Sequence, residues 1–66
     1  MKIFVNGEEV ECGQARTMEE LVRAYRLAPE TTLAERNGLA LRRRDWPNEK
    51  LEENDRIEIL RVAAGG

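Results

Sequence analysis

Apolar and polar residues alternate over the first part of the chain. Residues 1–5 are rich in β-branched and aromatic side chains, and Asn6-Gly7 separates them from a second, more acidic strand-like run over residues 8–12. Asn-Gly between two such runs predicts a β-hairpin, because a two-residue type I′ turn needs positive φ at both central positions. The alternation places one set of side chains toward the core: Met1, Ile3 and Val5. It places the other set outward: Lys2, Phe4 and Asn6.

The pattern then changes to a helical period. Thr17 and Glu20 have the spacing of a capping box, in which a hydroxyl accepts from the N–H three residues later and a carboxylate reaches back. Apolar side chains follow at i, i+3, i+4 and i+7: Met18, Leu21, Val22 and Tyr25. We therefore expect one amphipathic helix of about three turns that packs this stripe on a sheet and closes before Pro29.

The second half predicts another hairpin and an irregular connection. Residues 31–36 and 39–42 flank a second Asn-Gly pair, Asn37-Gly38, although Glu35 and Arg36 interrupt the apolar pattern. Residues 43–54 are mostly polar, and we expect them to form a loop anchored by Trp46 and Leu51.

Residues 56–62 alternate again and predict the last strand. Ile57, Ile59 and Arg61 share one face of this strand, and Glu58, Leu60 and Val62 share the other. The predicted element order is β-β-α-β-β-β, which favours one mixed sheet crossed by one helix. If the last strand lies beside the first, Phe4 and Leu60 meet on the outer face as an apolar docking patch, although Phe4 could instead only cover a neighbouring strand.

The last four residues, Ala63-Ala64-Gly65-Gly66, carry almost no side chain. Glycine lacks a Cβ and lets a backbone enter a narrow cleft, and a terminal carboxylate is ionised at neutral pH and can attack an activated phosphate. The pattern predicts a folded domain over residues 1–62 and a flexible tail over residues 63–66 whose reactive group is on Gly66. The alternative is a frayed end without a function.

Composition excludes several kinds of chemistry. The 66 residues include no histidine and one cysteine, Cys12, so histidine acid-base catalysis, a Cys/His pair and a Cys/His metal site are excluded. We expect Cys12 to be a packing residue on the face of Val10. Thirteen acidic and eleven basic residues give a net charge of −2, which disfavours nucleic acid as a partner. The basic run over residues 42–44 is either a solvated loop or a contact for an acidic partner.

A lone cysteine and the absence of an apolar leader or membrane segment lead us to expect a cytoplasmic protein with no membrane contact. We also expect it to be a monomer when free.

Taken in order, these elements resemble a ThiS-type sulfur carrier over the whole chain. The resemblance rests on residues 1–5, the capped helix at 17–21, the Asn37-Gly38 hairpin with residues 42–46, residues 51–59 and the final Gly65-Gly66. It implies an α+β, ubiquitin-like β-grasp fold, related to the MoaD-type carriers. Glu35, Arg36, Leu41 and the basic run depart from the family's usual pattern.

The resemblance also implies a mechanism. A ThiF-type adenylating enzyme binds ATP and magnesium, the Gly66 carboxylate attacks the α-phosphate, and sulfur from a donor system displaces AMP to leave a thiocarboxylate. A ThiG-type thiazole synthase then accepts the sulfur. In this reading Gly65, Ala64 and Ala63 form the narrow tail, and Phe4 and Leu60 dock the partner. The chain is a protein substrate with no catalytic residue, metal or cofactor of its own, and not an enzyme.

Three alternatives stay open at this point. The first is a carrier of the same chemistry for another acceptor, such as molybdopterin, cysteine or tRNA. The second is a ubiquitin-like modifier that forms isopeptide bonds through Gly66. The third is a β-grasp interaction module in which the diglycine has no role.

Overall fold

The structure is a computed structural model that describes residues 1–62. Its strands are β1 (Lys2–Val5), β2 (Glu8–Glu11), β3 (Thr32–Arg36), β4 (Leu39–Leu41) and β5 (Arg56–Arg61). One helix, α1 (Met18–Ala24), follows β2, and 3₁₀ turns occupy Pro29–Thr31 and Arg43–Asn48. The predicted element order is confirmed, as is a single mixed sheet crossed by one helix.

The sheet has the order β2-β1-β5-β3-β4, so the last strand lies at its centre. β1 and β5 are parallel, with Phe4 beside Arg56 and Val5 beside Ile57, and every other pairing is antiparallel. The Phe4 N–H donates to the Asp55 carbonyl at 2.8 Å, which extends the parallel ladder. This pairing confirms the prediction that the first and last strands are neighbours.

The hydrophobic core lies between α1 and one face of the sheet. Its most deeply buried side chains are Ile3, Met18, Leu21, Val22, Trp46 and Ile57. Trp46 and Leu51 are only 2% and 7% exposed, which confirms that they anchor the connection before β5. Trp46 Nε1 has no hydrogen-bond partner among residues 1–62, and burial of the large indole ring offsets that cost.

Both Asn-Gly turns adopt the predicted conformation. The φ angles are 52° and 85° at Asn6 and Gly7, and 52° and 87° at Asn37 and Gly38. These left-handed values match the type I′ requirement, so the predicted hairpins β1–β2 and β3–β4 are confirmed. β4 ends at Leu41, one residue earlier than predicted, so Arg42 lies outside the strand.

The start of the helix follows the predicted capping pattern with one difference. Thr17 Oγ1 accepts from the Glu20 N–H at 3.2 Å, as expected for the N-cap. The Glu20 carboxylate accepts from the Arg16 N–H at 2.6 Å, one residue before the cap. The side chains of Thr17 and Glu20 therefore each accept from a backbone N–H at the start of the helix. Met18, Leu21 and Val22 face the core.

The prediction of three helical turns is wrong, because α1 has seven residues, about two turns. Arg26 has a left-handed φ of 58°, and the Leu27 N–H donates to the Val22 carbonyl at 3.3 Å. The Arg26 N–H also donates to the Arg23 carbonyl at 2.9 Å. These two bonds form a Schellman motif, which ends a helix without proline. Tyr25 becomes the C-cap and is 42% exposed, so it does not belong to the buried stripe as predicted.

Arg36 departs from the apolar pattern because it forms a polar cluster at the edge of the core. Its Nε lies 3.0 Å from Asp55 Oδ2, and its Nη1 lies 3.0 Å from Glu49 Oε1. Asp55 is buried and also accepts from Asn37 Nδ2 at 3.1 Å and from the Glu52 N–H at 2.8 Å. The cluster joins the β3–β4 turn to the segment that starts β5.

Arg26→Gly should stabilise the protein, because glycine adopts the left-handed conformation without the steric penalty of a Cβ. We expect the free energy of unfolding to rise by about 0.5–1 kcal/mol after the entropy of glycine in the unfolded chain is subtracted. Urea denaturation measures the difference. The control, Ala24→Gly inside α1, should lower it by about 0.5–1 kcal/mol; a loss in both variants would contradict the Schellman assignment.

Candidate functional site

The central strand β5 carries the chain to one end of the sheet. At the end of the described residues the Val62 N–H donates to the Thr31 carbonyl at 2.8 Å. Val62 itself is 43% exposed. The predicted reactive tail, Ala63, Ala64, Gly65 and Gly66, lies outside the described residues, so the predicted domain boundary and the roles of these residues stay predictions.

Two asparagine side chains hold β5 in place. β1 ends at Val5, and Asn6 continues its ladder with a side-chain amide: the Ile59 N–H donates to Asn6 Oδ1 at 2.8 Å, and Asn6 Nδ2 donates to the Ile59 carbonyl at 3.2 Å. Asn37 acts at the start of the strand, where the Arg56 N–H donates to its Oδ1 at 2.9 Å. Each Asn-Gly turn therefore also fixes the strand that leads to the tail.

These side-chain bonds can be removed without breaking the turns. Asn6→Gly should keep the left-handed turn but speed amide hydrogen exchange at Ile59 by about fivefold, since a net hydrogen bond is worth about 1 kcal/mol. Asn37→Gly should do the same at Arg56. Each variant is the control for the other, and hydrogen exchange followed by NMR measures both; equal acceleration at the two amides would point to general destabilisation instead.

The face of the sheet opposite α1 is exposed and holds a groove of about 420 Å³. Leu33 of β3 lies directly across from Leu60 of β5, and these side chains are 56% and 60% exposed. The next outward pair along the same strands is Glu35 and Glu58. Ala40 of β4 lines the far side of the groove. An apolar pair next to a pair of carboxylates is thus presented on a rigid sheet.

The predicted contact between Phe4 and Leu60 is wrong. Phe4 lies on the outer face as expected, but the parallel register sets it beside Arg56, four residues before Leu60. At about 3.3 Å per residue the two positions are about 13 Å apart along the strand. Phe4 is half-buried, with the Lys2 ammonium 5.6 Å from its ring centroid.

Phe4 borders a second, smaller groove of about 260 Å³ that also includes Gly7, Arg56 and Glu58. Glu58 lines both grooves, so it lies between the two predicted docking residues. The predicted patch is therefore a longer surface, interrupted by a carboxylate.

Sequence reasoning did not assign Leu33 or Glu35 to this surface, and it placed Glu58 on the face of Leu60 without giving it a role. Period-2 alternation around Ala34 could have placed Leu33 on the outer face. The opposition of Glu35 and Glu58 could not be read in the same way, because it depends on the register between strands that are more than twenty residues apart.

Two other predicted features have clear positions. Cys12 is 9% exposed and its thiol donates to the Met1 carbonyl at 3.2 Å, which confirms a packing role. The basic run 42–44 is exposed, and Arg43 Nη1 donates to the Pro29 carbonyl at 3.0 Å. Within residues 1–62, no helix is long and apolar enough to cross a membrane, and no three carboxylate or thiol side chains are grouped as metal ligands.

A mixed five-stranded sheet with parallel first and last strands, crossed by one helix, defines a ubiquitin-like β-grasp domain. Known structures agree with this class. The crystal structure of the thiamine biosynthesis protein ThiS from Geobacter metallireducens superimposes with a TM-score of 0.81 at 29% identity, over the full length of both chains. An NMR solution structure of a thiamine biosynthesis protein from the same organism gives 0.80 at 29% identity, covering 100% of this chain and 88% of the other.

The sequence itself matches the ThiS family over residues 3–66. The chain belongs to the ThiS family, the sulfur carriers of thiamine biosynthesis. It is also similar to a thiazole synthase from Magnetococcus marinus, with 35% identity over 66 residues. The chain spans 20% of the length of that relative, so the likeness concerns one segment of a much longer protein.

Proposed function

We propose that this chain carries sulfur as a thiocarboxylate on Gly66 for formation of the thiamine thiazole ring. The observation that supports this most directly is the family match, which extends through Gly65 and Gly66. The geometry of the described part is compatible with it, because the central strand delivers the chain to an exposed end of the sheet at Val62. Four residues beyond that point can extend about 13–14 Å from the fold.

The chemistry takes place at the Gly66 carboxyl group. A free carboxylate is a poor electrophile, so a ThiF-type enzyme first uses ATP and magnesium to form an acyl-adenylate, with pyrophosphate as the leaving group. A sulfide equivalent from the sulfur donor then attacks the acyl carbon and AMP leaves. Gly65, Ala64 and Ala63 contribute a narrow backbone that can enter the cleft of the enzyme. The carrier thus supplies the reacting atom and its partners supply the catalysis.

The acceptor in this proposal is a ThiG-type thiazole synthase. The similarity to a segment of the Magnetococcus marinus thiazole synthase supports this choice over molybdopterin, cysteine or tRNA. Loss of the gene should then make growth dependent on added thiamine. Normal growth without thiamine would instead favour one of the other acceptors.

Incubation with the ThiF-type enzyme, ATP, magnesium and a sulfide source should replace one oxygen of the chain by sulfur. Intact mass spectrometry measures the difference between the two atoms. A variant that lacks Gly65 and Gly66 should show no change, because it ends two residues short of the reacting position. An unchanged wild-type mass with an enzyme that is active on another carrier would contradict the proposal, and ladders of covalent protein adducts would favour a modifier.

The docking contacts belong to the outer face, where Phe4 and Leu60 lie in neighbouring grooves that share Glu58. Leu60 is 60% exposed and contributes little to the core. Its side chain is therefore available to a partner, and an exposed apolar patch beside polar residues is typical of a protein interaction site.

Leu60→Asp should weaken binding to the ThiF-type enzyme by at least tenfold, because it removes an apolar contact and places a carboxylate that must lose its water where that contact was made. Leu39→Asp is the matched control: Leu39 is 72% exposed but shares the helix-side face with Arg36 and Ile57. Calorimetric titration measures both affinities. Equal weakening in the two variants would contradict the assignment of docking to the outer face. Phe4→Asp should also weaken binding.

A further inference from the structure

The centre of the outer face contains two carboxylates that oppose each other across neighbouring strands. Glu35 of β3 and Glu58 of β5 are a directly paired position in the antiparallel ladder, and both side chains are exposed. Directly opposed residues have Cβ atoms about 4.5–5.5 Å apart, and like charges in such pairs destabilise a sheet. Within residues 1–62 neither carboxylate has an ion-pair partner, although Arg56 lies on the same face.

Some acidic residues elsewhere in the described chain have a cationic partner, whereas others, such as Glu9 and Glu30, have none. Glu49 and Asp55 pair with Arg36 at 3.0 Å, and Glu19 pairs with Arg23 at 3.8 Å. Glu35 and Glu58 oppose each other directly, and no ion pair within residues 1–62 relieves the repulsion between them. A cation placed between them from outside would convert this cost into an attraction.

The surroundings of the pair favour a particular kind of cation. Leu33 and Leu60 lie one outward position further along the same strands, and Ala40 closes the groove on the β4 side. An arginine side chain combines an aliphatic stem, which can lie on these apolar groups, with a planar guanidinium that binds two carboxylate groups. A hydrated metal ion would make no use of the apolar wall, and an anionic membrane surface would be repelled.

We propose that Glu35 and Glu58 form a receptor for an arginine side chain of the adenylating partner, with Leu33 and Leu60 holding its stem. This inference rests on the proposed function and adds the charge chemistry of the docking contact. The pair then selects partners with a basic group at this point and rejects acidic ones, which is specificity by charge complementarity. The same two glutamates make the free domain less stable than it would be without them.

Opposite effects on stability and on binding are the signature of this role. Glu58→Gln and Glu35→Gln remove the repulsion without changing the shape, so the Tm of the free domain should rise by about 2–5 °C. The KM for the carrier in adenylation by the ThiF-type enzyme should rise roughly fivefold to tenfold in each variant, and the loss should be recovered at high carrier concentration. The double variant should also lose most of the salt dependence of KM.

Glu9→Gln is the matched control. Glu9 is exposed on the same face, opposite Phe4 on β2, but it lies outside both grooves. Its removal should leave KM within twofold of the wild-type value. Glu58→Lys should raise KM further than Glu58→Gln, because it adds repulsion toward the arginine.

Several results would overturn the inference. If wild-type chain is adenylated but the glutamine variants keep their KM, the arginine receptor is wrong and the proposed function stands. If KM and Tm worsen together, the glutamates have a structural role. If sedimentation shows a wild-type dimer that Glu58→Gln abolishes, the bound arginine comes from the basic run 42–44 of a second copy. The assignment to the adenylating partner is then wrong. If the wild-type chain is neither bound nor adenylated, the proposed function and this inference both fail.

Discussion

The parallel pairing of β1 with β5 is the constraint on which the rest of the structure depends. Its register includes only the pairs of Phe4 with Arg56 and Val5 with Ile57, but it joins segments about fifty residues apart. The entropy cost of closing that loop is offset by burial of apolar surface, because Ile57 packs in the core with the side chains of α1 and β1. β5 then becomes the central strand, and the antiparallel hairpins on either side complete the sheet.

The same pairing gives the two faces of β5 different roles, one in the core and one on the exposed surface. The inner face of β5 is occupied by Ile57 and Ile59 in the core, whereas its outer face presents Glu58 and Leu60 to solvent. A partner can therefore contact the outer face of the strand without disturbing the core. The asparagine side chains at the two turns hold this strand at Arg56, where it starts, and at Ile59 in its middle, so its position in the sheet is fixed by hydrogen bonds to the backbone.

Local patterns predicted most of the architecture, and the misses have identifiable causes. The helix was predicted too long because the left-handed conformation at Arg26 gives no sequence signal when the residue is not glycine. Phe4 and Leu60 were assigned to the correct face but not to the correct distance, since face follows from alternation while distance follows from strand register. Arg36 looked like a defect in a strand, and its partner Asp55 became visible only once the chain had folded.

By itself, the sequence determined the turns, the strand faces, the helix start and the family, because each depends on neighbouring residues or on a pattern that runs the whole chain. Tertiary structure alone decided which residues share the candidate docking surface. In a linear reading Glu35 only interrupts an apolar pattern and Glu58 only shares a strand face with Leu60, and they oppose each other only because β3 and β5 pair in one register. The asparagines show the same division: their backbone role in a turn is local, but the contacts of their side chains with β5 depend on how distant segments pack.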